Sequence, residues 1–157
     1  MAPSLLFDLS KIDLTKTVFE KDDIAKVNPQ SHEMSQLDGI IWHDRPKLLI
    51  LGYKDVTENE FWVRGHIPGR PIMPAVIMVE AAAQVSSFFM RRIYGLKYFI
   101  GFSGIERAKF RGTVVPGDRL YLLAHISKIR SRQFSAVVQG IVNDKIVFDT
   151  TITGMEI

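Results

Sequence analysis

The segment "AVIMVEAAAQVSSFFMRR", residues 75 to 92, constrains this chain more than any other. Its composition and flanks predict a helix. Pro74 sits near the first turn, where a missing N–H costs little, and Arg91 and Arg92 sit in the last turn, favourable against the dipole. The apolar residues run nearly all the way round such a helix. It therefore cannot lie on a surface and must be wrapped by the rest of the chain. A chain of 157 residues with 46% apolar and 24% charged residues is long enough to do this with a core of its own, as one domain.

The wrapping is supplied by strands. "KLLILGYKDV" and "EFWVRGHI" predict two of them, joined near Thr57–Glu60. "EKDDIAKVNPQ" predicts a short helix stopped before Pro29, since the residue before a proline is pushed out of the helical region. After Gly95 the pattern turns to short strands, "YFIGFSGIERAKF", "DRLYLLAHISKI", "RQFSAVVQGIV" and "IVFDTTITGM", punctuated by "VVPGD", "RSR" and "NDK". The fold class read from pattern is α+β: one long helix enclosed by a curled antiparallel sheet. No repeat or linker divides residues 1–157, and residues 1–20 form an appended arm with little fold signal of their own.

Several classes of function are excluded. With no cysteine there is no disulfide, thiol nucleophile or cysteine-ligated metal. The N-terminal "MAPSLLFDLSKIDLTK" lacks a basic leader region, and Asp8 and Asp13 interrupt its apolar patches, so it does not read as a signal peptide. The longest apolar stretch, Pro74 to Met90, is broken by Glu80 and Gln84 and falls short of a bilayer span. The expectation is a cytoplasmic protein with no membrane partner. The net charge of +3 fits either a mixed solvated surface or a mildly basic face for an acidic partner. No arginine-rich run or stacking-aromatic cluster points to nucleic acid.

Two residues carry chemistry. His66 lies in "GHIPGRPIMP", where each proline fixes a dihedral and each glycine permits an unusual one. Such a loop holds a side chain at low entropic cost, as a base requires. His32, His43 and His125 have no comparable setting. Glu80 stands in the apolar helix with Val76, Ile77, Ala83 and Gln84 on its face. Ionised and unpaired there, it would cost several kcal/mol in desolvation, so it is expected partly protonated. Two readings of Glu80 remain structural: the helix's exposed stripe, or a buried group satisfied by Gln84. The third is chemical. A protonated carboxyl facing a neutral imidazole is a general acid beside a general base.

Beyond these residues, "GHIPGRPIMPAVIMVEAAAQ" resembles the signature of the (3R)-hydroxyacyl-acyl-carrier-protein dehydratases of type II fatty-acid synthesis. "KDVTENEFWVRGH" and "FSGIERAKFRGTVVPGD" are similar to the motifs on either side of it, so the resemblance spans roughly residues 54 to 118. It implies a hotdog fold, with the long helix as sausage and the sheet as bun. It implies a homodimer, or a trimer of such dimers, whose site takes the histidine from one subunit and the carboxylate from the other. Carried over by position, His66 is the base and Glu80 the acid. The Ala75 amide binds the thioester oxygen and Gln84 orients the carboxyl, with Pro74, Val76 and Phe102 against the substrate. Glutamate, rather than the aspartate of the isomerising sister family, points to plain dehydration. No metal or organic cofactor is needed.

The resemblance also implies an acidic carrier protein as partner, for which Arg91, Arg92, Lys97, Lys109 and Arg111 are candidate contacts, and a strained backbone over Gly65–Pro68 with a cis bond after His66. The chain departs from the family pattern at Ala75 (glycine there) and Ile67 (phenylalanine there). It also departs through about three extra residues before "FSG" and through "NPQSHEMSQLDGI", where only Pro29 and Asp38 match. Two enzyme alternatives stand beside the dehydratase, a hotdog thioesterase and a coenzyme A-dependent enoyl hydratase. A third alternative is a non-catalytic acyl-binding subunit of the same fold.

Overall fold

A computed structural model describes residues 3–157. Seven strands form a single antiparallel sheet in the order β1-β2-β3-β5-β6-β7-β4. They are β1 (Phe19–Glu20), β2 (Gly39–Asp44), β3 (Leu49–Asp55), β4 (Ile100–Phe110), β5 (Arg119–Ile129), β6 (Gln133–Val142) and β7 (Lys145–Glu156). A short helix α1 (Lys21–Ala25) follows β1, and a 3-10 turn occupies His32–Met34. The long helix α2 (Ala75–Phe88) runs on as a π-helical stretch over Phe89–Tyr94 and lies against the sheet's inner face. This is the hotdog arrangement expected from the resemblance.

The all-round apolar character of α2 is explained by its surroundings. Met78, Ala81, Ala82, Val85 and Phe88 are buried in a core shared with Leu120, Leu122 and Ala124 of β5 and Phe148 of β7. Gly52 on β3 lets the helix come close. A Cβ there would sit 3.0 Å from Leu37 Cδ1 and 3.1 Å from Val85 Cγ2. The helix end is closed by Gly95 in the left-handed region (φ 108), a conformation glycine adopts without penalty. Arg45 donates to the carbonyl oxygens of Ile93 (3.0 Å) and Tyr94 (3.3 Å). A cation from β2's turn thus reaches the last carbonyls of the helix, in addition to the helix's own arginines.

Three features differ from the sequence expectation. "EFWVRGHI" is not a strand but a succession of turns: Val63 N–H donates to Glu60 O (3.0 Å), Gly65 N–H to Trp62 O (3.2 Å) and His66 N–H to Trp62 O (2.7 Å). The apolar run Phe61–Val63 does not make a strand because Trp62 is buried as a single plug and the segment's backbone hydrogen bonds close turns within itself. Strands β1 and β2 were not anticipated. Gly39 opens β2 because the Tyr53 ring lies across it, 2.5 Å from where a Cβ would stand. The glycine masks a strand signal that Ile40 and Ile41 would otherwise give.

The third is the N-terminal arm. It forms no regular element over residues 3–18, yet it is an integral layer. Leu6, Phe7, Leu9, Ile12 and Leu14 pack on the outer face of the sheet, against Ile41, Leu51, Tyr53, Leu123 and Ile141. Gln139 clamps it, accepting from Leu6 N–H (2.9 Å) and donating from Nε2 to Ser4 O (2.8 Å). With both faces covered, β5 reads as an almost continuous apolar run, "LYLLA", instead of alternating. At the other end of the sheet, β4 pairs only with β7. Its free side leaves Phe102, Ile105 and Phe110 exposed.

Candidate active site

His66 is placed by the turns that replace the expected strand. Their base is an ionic anchor: Lys54 on β3, almost fully buried, lies 3.0 Å from Glu60 Oε1 and 3.6 Å from Asp38 Oδ2. Glu60 also accepts from the N–H of Thr57 (3.1 Å). The His66 ring is exposed, with Nδ1 2.6 Å from the carbonyl oxygen of Ile72. A carbonyl only accepts, so Nδ1 carries the hydrogen, and in the neutral ring Nε2 keeps a free lone pair. That is the tautomer a base needs.

The expected cis bond after His66 is not found; no peptide bond among the described residues is cis. The chain reverses instead through left-handed residues, Ile67 at φ 53 and Gly69 at φ 79. The glycine takes this freely. A β-branched residue there costs about 1–3 kcal/mol, so the strain expected next to the histidine lies in Ile67.

Glu80 is half-buried on α2, and Gln84 one turn later donates from Nε2 to its Oε1 (2.8 Å). Gln84 is itself fixed from outside the helix. Its Nε2 also donates to Met34 O (2.7 Å), and its Oε1 accepts from the buried Gln36 N–H (2.8 Å). Asn28 Nδ2 donates to the Gln84 carbonyl (3.0 Å). These partners decide which way the amide points. An NH2 hydrogen faces Glu80, so Oε1 of Glu80 is an acceptor and any carboxyl proton belongs on Oε2.

The residues that orient this pair come from segment 28–36, where the family resemblance is weakest. Sequence reading missed them. The available signal was Gln84 itself, a buried amide whose three hydrogen-bonding groups must be paired somewhere.

At the start of α2, Pro74 caps with its carbonyl, which accepts from Ile77 N–H (2.9 Å) and Met78 N–H (3.3 Å). The N–H groups of Ala75 and Val76 have no acceptor among the described residues. Val76 is 72% exposed. Two hollows meet at Glu80. One is an open, largely apolar groove of about 350 Å³ bounded by Val76, Val79, Phe102, Ile105 and Phe110. The other is a small hollow of about 50 Å³ along α2 from Glu80 past Ala83 to Ser87, with Gln30, Phe102, Phe134 and Thr153 around it. His66 borders neither hollow and makes no hydrogen bond to Glu80 within one chain. A single copy thus gathers Glu80, Gln84, Val76 and Phe102, keeps Pro74 and Ala75 at the adjoining helix start, and leaves His66 apart.

Of the candidate carrier contacts, Arg91 donates inward to the carbonyl of Val27, Arg92 lies over the Phe19 ring (5.3 Å), and Arg111 is tied to Asp149 (2.8 Å). Lys97 and Lys109 are exposed.

Known proteins give a consistent result. The FabA-like domain matches residues 28–151. A 3-hydroxyacyl-[acyl-carrier-protein] dehydratase FabZ of Koribacter versatilis is 37% identical over 140 residues, covering 88% of this chain and 89% of the relative. The FabZ of Clostridium tetani is 37% identical over 136 residues, covering 85% and 94%. Among solved structures, the dehydratase heterocomplex ApeI:P from Xenorhabdus doucetiae superposes with a TM-score of 0.70 at 10% identity, covering 85% of this chain and 90% of that one. The E. coli PaaI protein superposes at 0.58 with 15% identity, covering 74% and 81%. These distant structures share the fold, whereas the sequence matches reach further: the chain belongs to the FabA-like domain family.

Proposed function

We propose that this protein is a 3-hydroxyacyl-[acyl-carrier-protein] dehydratase, a cytoplasmic hydro-lyase of fatty-acid synthesis that forms the trans-2-enoyl thioester. The observation that carries the reading is the Glu80–Gln84 pair: a carboxyl oriented by a fixed amide at the junction of two hollows. The curated relatives, dehydratases by name at 37% identity, support it.

The functional unit is the whole of residues 1–157, one hotdog domain with its arm, assembled as a homodimer. The free side of β4, with Phe102, Ile105 and Phe110 exposed beside it, is the surface a second copy covers. Such a copy brings its His66 to the Glu80 of the first. Nε2 of that histidine takes the proton from the carbon next to the thioester carbonyl, and the electron pair forms the C2–C3 double bond. The bond from C3 to the hydroxyl breaks, and Oε2 of Glu80 protonates the departing oxygen to give water. Imidazolium and carboxylate are left, and a proton returned from the first to the second resets the site. The free N–H of Ala75, at the positive end of the α2 dipole, stabilises the charge that develops on the thioester oxygen. The carrier is acidic, and exposed lysines such as Lys97 and Lys109 serve its docking.

The test is turnover of 3-hydroxybutanoyl-acyl carrier protein. Glu80→Gln, nearly isosteric, should lower kcat by about two orders of magnitude or more with the fold retained, and His66→Ala should do likewise. Mixing the two inactive variants should restore about a quarter of wild-type activity if the site is shared between copies. A near-wild-type rate for Glu80→Gln removes the proton-donor role. Release of free thiol in place of enoyl product would identify a thioesterase.

A further inference from the structure

Lys54 is an unexpected residue for its place in the sheet. By the alternation of β3 it shares a face with Ile50 and Gly52, the face that receives α2. Its neighbour on β5, Leu120, is fully buried. That setting suits an apolar side chain, yet the position holds a lysine only 4% exposed. A buried ionic group gains little stability over well-packed apolar residues, because desolvation offsets the attraction. What it adds is geometry, since the ammonium must lie within reach of its carboxylates.

The two carboxylates lead to different places. Glu60, 3.0 Å from Nζ, opens the turns that carry His66. Its Oε1 accepts from Thr57 N–H (3.1 Å) and its carbonyl from Val63 N–H (3.0 Å). The next turn follows directly, with Trp62 O accepting from His66 N–H (2.7 Å).

Asp38, 3.6 Å from Nζ, is tied at both ends to the strand that bears Lys54. Its N–H donates to Tyr53 O (2.9 Å), and its Oδ2 accepts from Asp55 N–H (2.8 Å). Two residues before it, Gln36 N–H holds Oε1 of Gln84, whose Nε2 donates to Glu80. Leu37 between them is fully buried, so the link is short and packed. Lys21, 3.4 Å from Asp38 Oδ1, is 60% exposed and adds little.

We propose that Lys54 is a positioning residue with two arms. Through Glu60 it sets the turns that hold the base, and through Asp38 it sets the segment that orients the acid. The consequence lies in the assembly. Where His66 of one copy meets Glu80 of the other, the two arms of a single Lys54 serve different sites. Each site then depends on the lysines of both copies. The sharing of the site rests on the dehydratase reading, whereas the two arms lie within each chain and are testable apart from it.

Two substitutions cut one arm each and leave Lys54 its other carboxylate. Glu60→Gln keeps an oxygen for Thr57 N–H, and Asp38→Asn keeps one for Asp55 N–H, so only the charge is removed. The first measurement is amide hydrogen exchange on the full chain, which needs no substrate. Glu60→Gln should speed exchange at Val63 and His66 by about tenfold or more and leave Gln36 unchanged. Asp38→Asn should do the reverse.

The second measurement is kcat on 3-hydroxybutanoyl-acyl carrier protein in mixed dimers, one copy Glu80→Gln and its partner His66→Ala, co-expressed with different tags. Only one site then works, with its base from the first copy and its acid from the second. Glu60→Gln should lower kcat by about tenfold when placed on the copy that supplies His66, with KM unchanged, and have no effect on the other copy. Asp38→Asn should act only on the copy that supplies Glu80, and Lys54→Met on either. Arm-specific exchange with no dehydration of any hydroxyacyl carrier sustains the positioning role and removes the function. Exchange that quickens equally in both segments, or a kcat that ignores which copy carries Glu60→Gln or Asp38→Asn, overturns the proposal and leaves the function standing.

Discussion

Replacing Gln84 by leucine removes its side-chain hydrogen bonds to the 28–36 segment, leaving the Asn28 bond to its carbonyl, and the cost can be worked from the contacts. Three hydrogen bonds disappear: to Gln36 N–H, Met34 O and Glu80 Oε1. Gln36 is fully buried, so its orphaned N–H costs about 1–3 kcal/mol. The other two partners are partly accessible and recover some solvation, leaving about 0.5–1.5 kcal/mol each. Leucine returns about 1 kcal/mol by being less polar in a buried position. The net loss is centred near 3 kcal/mol, or roughly 6–12 °C in Tm for a domain of this size. Ser86→Ala is the matched control. Ser86 is on the same helix, equally buried, and donates only to Ala82 O one turn back (2.8 Å). Its removal should cost less than about 1 kcal/mol. Urea denaturation with unchanged slope would measure both. If Gln84→Leu is no more destabilising than Ser86→Ala, the amide is not the link described here. Turnover should fall further than stability accounts for, since the Glu80 carboxyl loses its orienting donor.

Other perturbations have equally definite outcomes. Lys54→Met leaves two facing carboxylates, Glu60 and Asp38, without their shared cation; a loss of about 3–5 kcal/mol is expected, with Lys54→Arg recovering part of it in the same denaturation assay. Burial holds the His43 imidazole below its ordinary 6.5, against a weaker opposing pull from Asp44. The unfolded chain therefore takes up this proton first as pH falls. Stability from this group is present above about 6.5 and is lost as pH drops through that value towards the lower folded pKa. His43→Phe should flatten the stability profile between pH 7 and 5, and an unchanged slope would assign the effect elsewhere. Deleting residues 1–16 uncovers Ile41, Leu51, Leu123 and Ile141 on the outer face. About 2–5 kcal/mol should be lost, with increased dye binding and self-association on size exclusion.

How much of this was legible in the sequence depended on whether a segment carries its own signal. Helix α2 did, because a segment apolar on all sides has few places to go, and the strands after Gly95 did, because turn residues separate them. The edge region did not. Gly39 hides β2 because the glycine is there for the Tyr53 ring, and the apolar run Phe61–Val63 in "EFWVRGHI" belongs to turns that bond within themselves. The arm, which gave little fold signal, lacks a period because its leucines follow the sheet's surface and not a helix or strand of their own. In the site, the residue types and their spacing singled out His66 and Glu80. What holds Gln84 in turn did not show, because Met34 and Gln36 act through backbone groups, which any residue supplies.

The covering of the outer face by residues 3–18 also makes the molecule convenient to handle. Leu5 is 42% exposed within that cover, and the chain contains no cysteine. A Leu5→Cys variant therefore carries one thiol, on the side of the sheet away from α2. Protein tethered or labelled through it would be held by the face away from α2, so that binding on the α2 side could be followed on a sensor surface without the attachment obstructing it.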